Sequence, residues 1–194
     1  MTEVTQDAPT VVVTKETIPL WLAVALTVLI SMPFGLWLGA FNFTLWCSFI
    51  VWAEYFALGA KPAALKLILP SFSYAAMLTA VTLWVTPWFG FLPSLVAEGD
   101  TAASLVLFTG VAFMVYSMRW SQTFQDGSLP FFNGVSMVLA IYYTGSFPEV
   151  GPPAAAALVA GVWTILMGAF GGALAVLNVW LTFPKQIEQL PSTP

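Results

Sequence analysis

Histidine is absent from this 194-residue chain, cysteine occurs once, and only five residues are Lys or Arg. Without histidine there is no Ser-His-Asp triad, no Cys-His pair, no His-bearing zinc site and no haem held by His. The lone Cys47 forms no disulfide within one chain. Its place inside an apolar run marks it as a small packed hydrophobe. Five basic residues spread over four junctions leave neither a nucleic-acid footprint nor a polybasic lipid patch. No Gly-rich phosphate loop followed by Lys and Ser or Thr is present, so nothing points to a nucleotide. Charged residues make up 7%, against about a quarter of an average soluble domain. No cofactor or metal is expected.

Hydrophobic residues fill 59% of the chain and fall into six runs. A membrane helix needs roughly 20 apolar residues, with a range of about 17–25. The runs cover 18–39, 41–58, 65–88, 101–118, 128–143 and 153–183. The expected fold is therefore an all-α membrane domain of six helices over 18–183, with tails at 1–17 and 184–194. Thr10 to Thr14 has the composition of a strand but is expected to be disordered alone, and the C-terminal tail reads as unstructured. The fifth run is short, opening no earlier than Ser128 and ending at Tyr143. Upstream lies the polar stretch Trp120 to Gly127. Two readings stand for it: a short, little-tilted helix across a locally thinned bilayer, or a segment from Trp120 that dips partly into the protein interior as non-helical backbone.

The basic residues all fall on one side of this layout. Lys15 precedes the first run, Lys61 and Lys66 separate the second from the third, Arg119 follows the fourth and Lys185 the sixth. The other junctions carry Glu98, Asp100 and Glu149. Basic residues near helix ends stay cytoplasmic, so both termini are expected inside. Six of the tryptophans (Trp21, Trp37, Trp84, Trp88, Trp120 and Trp180) fall near span ends, as aromatic belts do.

The two halves share a pattern. Pro33-Phe34 precedes Phe41-Asn42 and a helix ending in Tyr55-Phe56-Ala57-Leu58-Gly59; Pro130-Phe131 precedes Phe132-Asn133 and a helix ending in Tyr142-Tyr143-Thr144-Gly145. Three spans per unit make a 3+3 inverted-topology repeat, with short helices two and five as partners. Asn42 and Asn133 then stand near the starts of those helices, where an amide offers both donor and acceptor to a polar solute, or caps its own helix or bonds to a neighbouring one. Ser128 lies on the same path. Glu54 is the one acid well inside a span. It reads either as a gate or proton-coupling carboxylate, or as one half of an ion pair with Lys61, Lys66 or Arg119. Small residues recur at Gly35 and Gly39 and along Ala156, Ala160, Thr164, Gly168 and Gly172. These faces serve helix packing within the chain or the seam of a homo-oligomer through helices one and six.

The run from Trp46 to Lys66, with Trp-x-x-Phe, Tyr55-Phe56-Ala57, Gly59 and Leu65-Lys66, together with Pro130 to Gly134, resembles a family of small bacterial inner-membrane proteins, domain of unknown function 1097. The likeness covers most of residues 20–182. It implies a polytopic inner-membrane protein and supplies no activity; Glu54, Glu98 and Asp100 lie outside its pattern. The residues favour a channel or simple carrier for a small polar, mostly uncharged solute. The alternative is a non-transporting membrane scaffold or accessory subunit, and a membrane enzyme using Glu54 with Asp126 ranks last.

Overall fold

A computed structural model describes residues 11–14, 16–183 and 186–189. Seven helices form the body: α1 (Leu20–Trp37), α2 (Leu45–Ala57), α3 (Pro62–Val85), α4 (Asp100–Ser117), α5 (Gln122–Asp126), α6 (Ser128–Tyr143) and α7 (Ala156–Thr182). The expected spans one to six correspond to α1, α2, α3, α4, α6 and α7. Four of these are long and apolar enough to cross a membrane once their 3₁₀ extensions are counted, over 20–37, 62–89, 100–120 and 153–182. The other two fall short. The 13 residues of α2 and 16 of α6 reach about 20 and 24 Å at 1.5 Å per residue, against a hydrocarbon core of about 30 Å.

Local chemistry sets the boundaries. Pro62 opens α3, where its missing N–H costs nothing. Ser121 caps α5 by accepting the Thr123 N–H. The α4 start is fixed by Asp100, whose carboxylate accepts the backbone N–H groups of Leu95, Val96 and Ala97 and so ties down the preceding loop. The α2 start comes later than the apolar run suggests. Asn42 closes a 3₁₀ turn in the left-handed region, with φ 54°, which only short polar side chains tolerate well.

The centre is an antiparallel pair, α3 and α7, meeting where Gly161 faces Ala80, Gly168 faces Phe72 and Gly172 faces Leu65. Along α7 lies α2, in the same direction: Thr44 donates to Met167 and, one turn on, the Ser48 backbone meets Gly171. Along α3 lies α6, with Gly134 against the Phe72 backbone. The outer helices each lean mainly on one long helix, α1 on α7 and α4 on α3. Lys61, Lys66 and Arg119 share one end of this bundle, and Glu98, Asp100 and Glu149 the other. Lys15 and Lys185, the other two residues behind the topology, lie outside the described residues.

The tails differ from expectation. Strand β1 (Val11–Thr14) pairs antiparallel with β2 (Gln186–Gln189), so the C-terminal segment is not unstructured. The cause is proximity: the Thr17 N–H donates to the Thr182 carbonyl at 2.9 Å, delivering both tails to one place.

The packing makes a test of sign. Glycine to alanine in a helix ordinarily adds about 1 kcal/mol of stability. A Cβ at Gly171 or Gly134 would collide with the backbone of Ser48 or Phe72, and overpacking costs about 1–3 kcal/mol or more. Gly171→Ala and Gly134→Ala should each lower the melting temperature in detergent micelles. Gly39→Ala, which meets nothing within 4 Å, should leave it unchanged.

Candidate functional site

Each short helix begins beside a long one, below that helix's end. Ahead of α2, Phe43 packs edge-on against Trp163 and Phe170 of α7, at ring separations of 5.7 and 5.4 Å. Ahead of α6, Phe124 of α5 stacks on Tyr74 of α3 at 4.5 Å, while Ser71 donates to the Thr123 carbonyl at 3.1 Å. Ser71 lies about 13 Å along α3 from its start, so Thr123, Phe124 and Gly127 pack on α3 while Trp120, Gln122, Gln125 and Asp126 stay exposed. The segment is a short helix, α5, rather than non-helical backbone. Aromatic wedges supply the length that α2 and α6 lack.

The two short helices end alike. After α2, the Gly59 N–H donates to the Phe56 carbonyl and the Ala60 N–H to that of Tyr55; after α6, Gly145 donates to Tyr142 and Ser146 to Ile141. Both glycines have positive φ, 93° and 64°. These are Schellman turns, which satisfy the last helix carbonyls and need a residue free to turn left-handed. The shared Gly is therefore the marker of correspondence between the halves.

Counting back from those glycines corrects the expected pairing of amides. Asn133 corresponds to Cys47, not to Asn42, which stands outside α2 altogether. The two asparagines still make the links between α2 and α6. At one end, the Asn42 side-chain amide donates to the Gly145 and Phe147 carbonyls at 3.3 and 3.0 Å, and the Asn42 backbone carbonyl accepts the Trp163 indole N–H at 3.1 Å. At the other, Asn133 Nδ2 donates to Glu54 Oε1 at 2.5 Å.

Glu54 is 2% exposed, and its Oε2 has no hydrogen-bond partner. The expected ion pair is absent: neither oxygen is hydrogen-bonded by Lys61, Lys66 or Arg119. Lys61 and Lys66 are exposed, and Arg119 stacks on the Tyr116 ring at 4.4 Å. Asp126 accepts from Gln122 within α5, so it is not brought to Glu54 as a second acid. Ser128 is exposed at the α6 start. Glu54 and Asn133 thus meet, whereas Asn42 and Ser128 lie away from them. The interior between is closed, with Val51, Tyr55, Ile68, Phe72 and Ile141 at 0–1% exposure. A groove of about 450 Å³ lies elsewhere, between α3 and α4, and is mostly apolar.

Of the expected packing glycines, a Cβ added at Gly35, Gly168 or Gly172 would meet a neighbouring side chain at 2.8, 2.7 or 3.3 Å, but Gly39 faces open space. The small-residue face of α7 is covered by α3 of the same chain, so an oligomer seam there is not available. Buried polar atoms beyond Glu54 also lack partners: Ser48 Oγ, Trp52 Nε1, and both amide atoms of Asn178. Asn178 is 0% exposed, on α7. It was legible as the one amide in an otherwise apolar 27-residue helix.

The chain matches no family model, no curated protein and no solved structure.

A buried amide with nothing to bond costs about 1–3 kcal/mol. Asn178→Leu, of similar volume, should therefore raise the unfolding midpoint in detergent by that order. A fall instead would mean that the amide is held by a bound molecule.

Proposed function

We propose that the chain is a six-span bacterial inner-membrane carrier for a small polar, mostly uncharged solute, with both termini cytoplasmic and two inverted three-helix repeats. The observation that carries this reading is the exchange pattern of the packing. Replacing α1, α2 and α3 by α4, α6 and α7 leaves the list of main helix partners unchanged: α2 on α7 with α6 on α3, α1 on α7 with α4 on α3, and α3 on α7 itself. Matching Schellman turns and matching aromatic wedges support the same exchange. Repeats of this kind, with short interrupted helices in corresponding positions, mark the substrate site in many carriers.

The closed interior favours a carrier over an open channel. A channel wants a continuous polar-lined route past α2 and α6, and that space is filled by Tyr55, Phe72 and Ile141. A carrier passes through a state closed at both ends, with a polar link at each. Asn42 with the 145–147 turn is then one gate, and Glu54 with Asn133 the other. The charge distribution of the described residues favours the Lys61, Lys66 and Arg119 end as cytoplasmic. The scaffold reading draws on the same closed interior and is separated from the carrier by function alone.

Proteoliposomes challenged with urea, glycerol, formamide and short carboxylates should show saturable entry of at least one solute. Oxidative cross-linking of the double variant Asn42→Cys, Phe147→Cys, on a Cys47→Ser background, should abolish that entry and reduction should restore it. No entry of any solute, with protein folded and oriented, would favour the scaffold.

A further inference from the structure

Among the described residues, Glu54 is buried without a cation, and its surroundings offer none. On its own helix the titratable neighbours are Cys47, two turns earlier, and Tyr55. The elements packed against it are equally bare: α7 and α1 contain no titratable residue. In α3 there are Lys66, which is exposed, and Tyr74, which stacks on Phe124. In α6 there are Tyr142 and Tyr143, at the end away from Asn133. Lys61 is exposed beyond the α2 end. A carboxylate in that position carries an uncompensated charge, and buried ionisable groups then tend to neutralise.

The hydrogen bonds point to the form it takes. Asn133 Nδ2 donates to Oε1 at 2.5 Å, and Oε2 stands without a partner. An ionised carboxylate is acceptor-only and can do nothing about that orphan oxygen toward the acceptor side of an amide. A protonated carboxyl can. We propose that Glu54 and Asn133 form a proton-binding site, in which the protonated acid donates from Oε2 to Asn133 Oδ1 while Asn133 Nδ2 donates to Oε1. The two bonds close a ring across α2 and α6, and both carboxyl oxygens are satisfied. Loss of the proton from Oε2 to water breaks one bond and leaves a carboxylate that is better hydrated than buried. Opening of this end and proton release are therefore one event. As a coupling site this rests on the carrier reading; as a proton site it does not.

The test is infrared spectroscopy on the protein in phosphatidylcholine vesicles. The remaining Asp and Glu residues lie in the tails, the junctions or at helix ends, and the difference between wild-type and Glu54→Gln spectra isolates the Glu54 band. Wild type should show a protonated-carboxyl stretch at neutral pH that disappears in alkali. Glu54→Gln should lack it, and Asn133→Ala should shift it. In parallel, the wild-type melting temperature should fall as pH rises through neutrality, because the proton stabilises the closed form. Glu54→Gln, whose amide can make the same ring, should melt independently of pH over that range. No protonated band at neutral pH in folded wild type, a band unmoved by Asn133→Ala, or a flat wild-type melting profile would each overturn the proposal. Absence of solute entry would remove the carrier reading and leave these readouts standing.

Discussion

Two contacts of backbone on backbone hold this fold together, Gly171 against Ser48 and Gly134 against Phe72. In lipid, helices gain little from hiding apolar surface from one another, so association depends on close approach and on polar links. Only a residue without a side chain lets a neighbouring main chain come that near. Each contact seats a short helix on a long one, α2 on α7 and α6 on α3. The positions of Glu54 and Asn133 follow from that seating. If either short helix were displaced outward by a methyl group's width, the clasp between them would open.

The polar links come second, and they are few. Thr27, Thr79, Thr164 and Thr182 return their hydroxyls to the carbonyl four residues back. This satisfies the group without a partner helix. The side-chain bonds that do cross between α2 and α6, or their flanking turns, come from Asn42 and Asn133. A molecule that makes most of its hydroxyls self-sufficient and reserves two amides for one helix pair concentrates its adjustable contacts there.

Much of this was legible in the residues, and the misses have physical causes. The α6 limits, Ser128 and Tyr143, match the apolar run to the residue, because a polar stretch and a glycine bound it. The start of α2 was missed: hydropathy cannot register that Asn42 turns left-handed. Repetition was visible in the Tyr-rich helix ends, where the turn chemistry demands Gly59 and Gly145. It misled at the amides, since Phe-Asn dipeptides carry no geometric requirement. An ion pair for Glu54 was the natural expectation from charge alone. Burial decided otherwise, because drawing a lysine inward adds a second charge to desolvate, whereas an amide brings a donor and no charge. Asn178 went unnoticed among apolar neighbours, although an amide in such a helix is itself a signal.

The halves match in frame and differ in chemistry. In the register fixed by the two Schellman turns, Glu54 corresponds to Ala140 and Asn133 to Cys47. One end of the α2–α6 pair therefore holds an acid and an amide, and the corresponding positions at the other end have neither. It is closed instead by neutral bonds from Asn42 to two carbonyls and from Trp163 to Asn42. Neutral hydrogen bonds are worth about 0.5–1.5 kcal/mol each, net of water. Three of them amount to a few kcal/mol, which is the size of gap that leaves a minor open state at roughly 0.1–10%. On the carrier reading, such an end opens by thermal fluctuation and closes again without outside help. The end that holds Glu54 is different in kind on the proposal that it binds a proton, since its strength then depends on whether that proton is present. On the carrier reading, a symmetric frame with unlike latches gives the cycle a direction, because only one of its two openings can be driven.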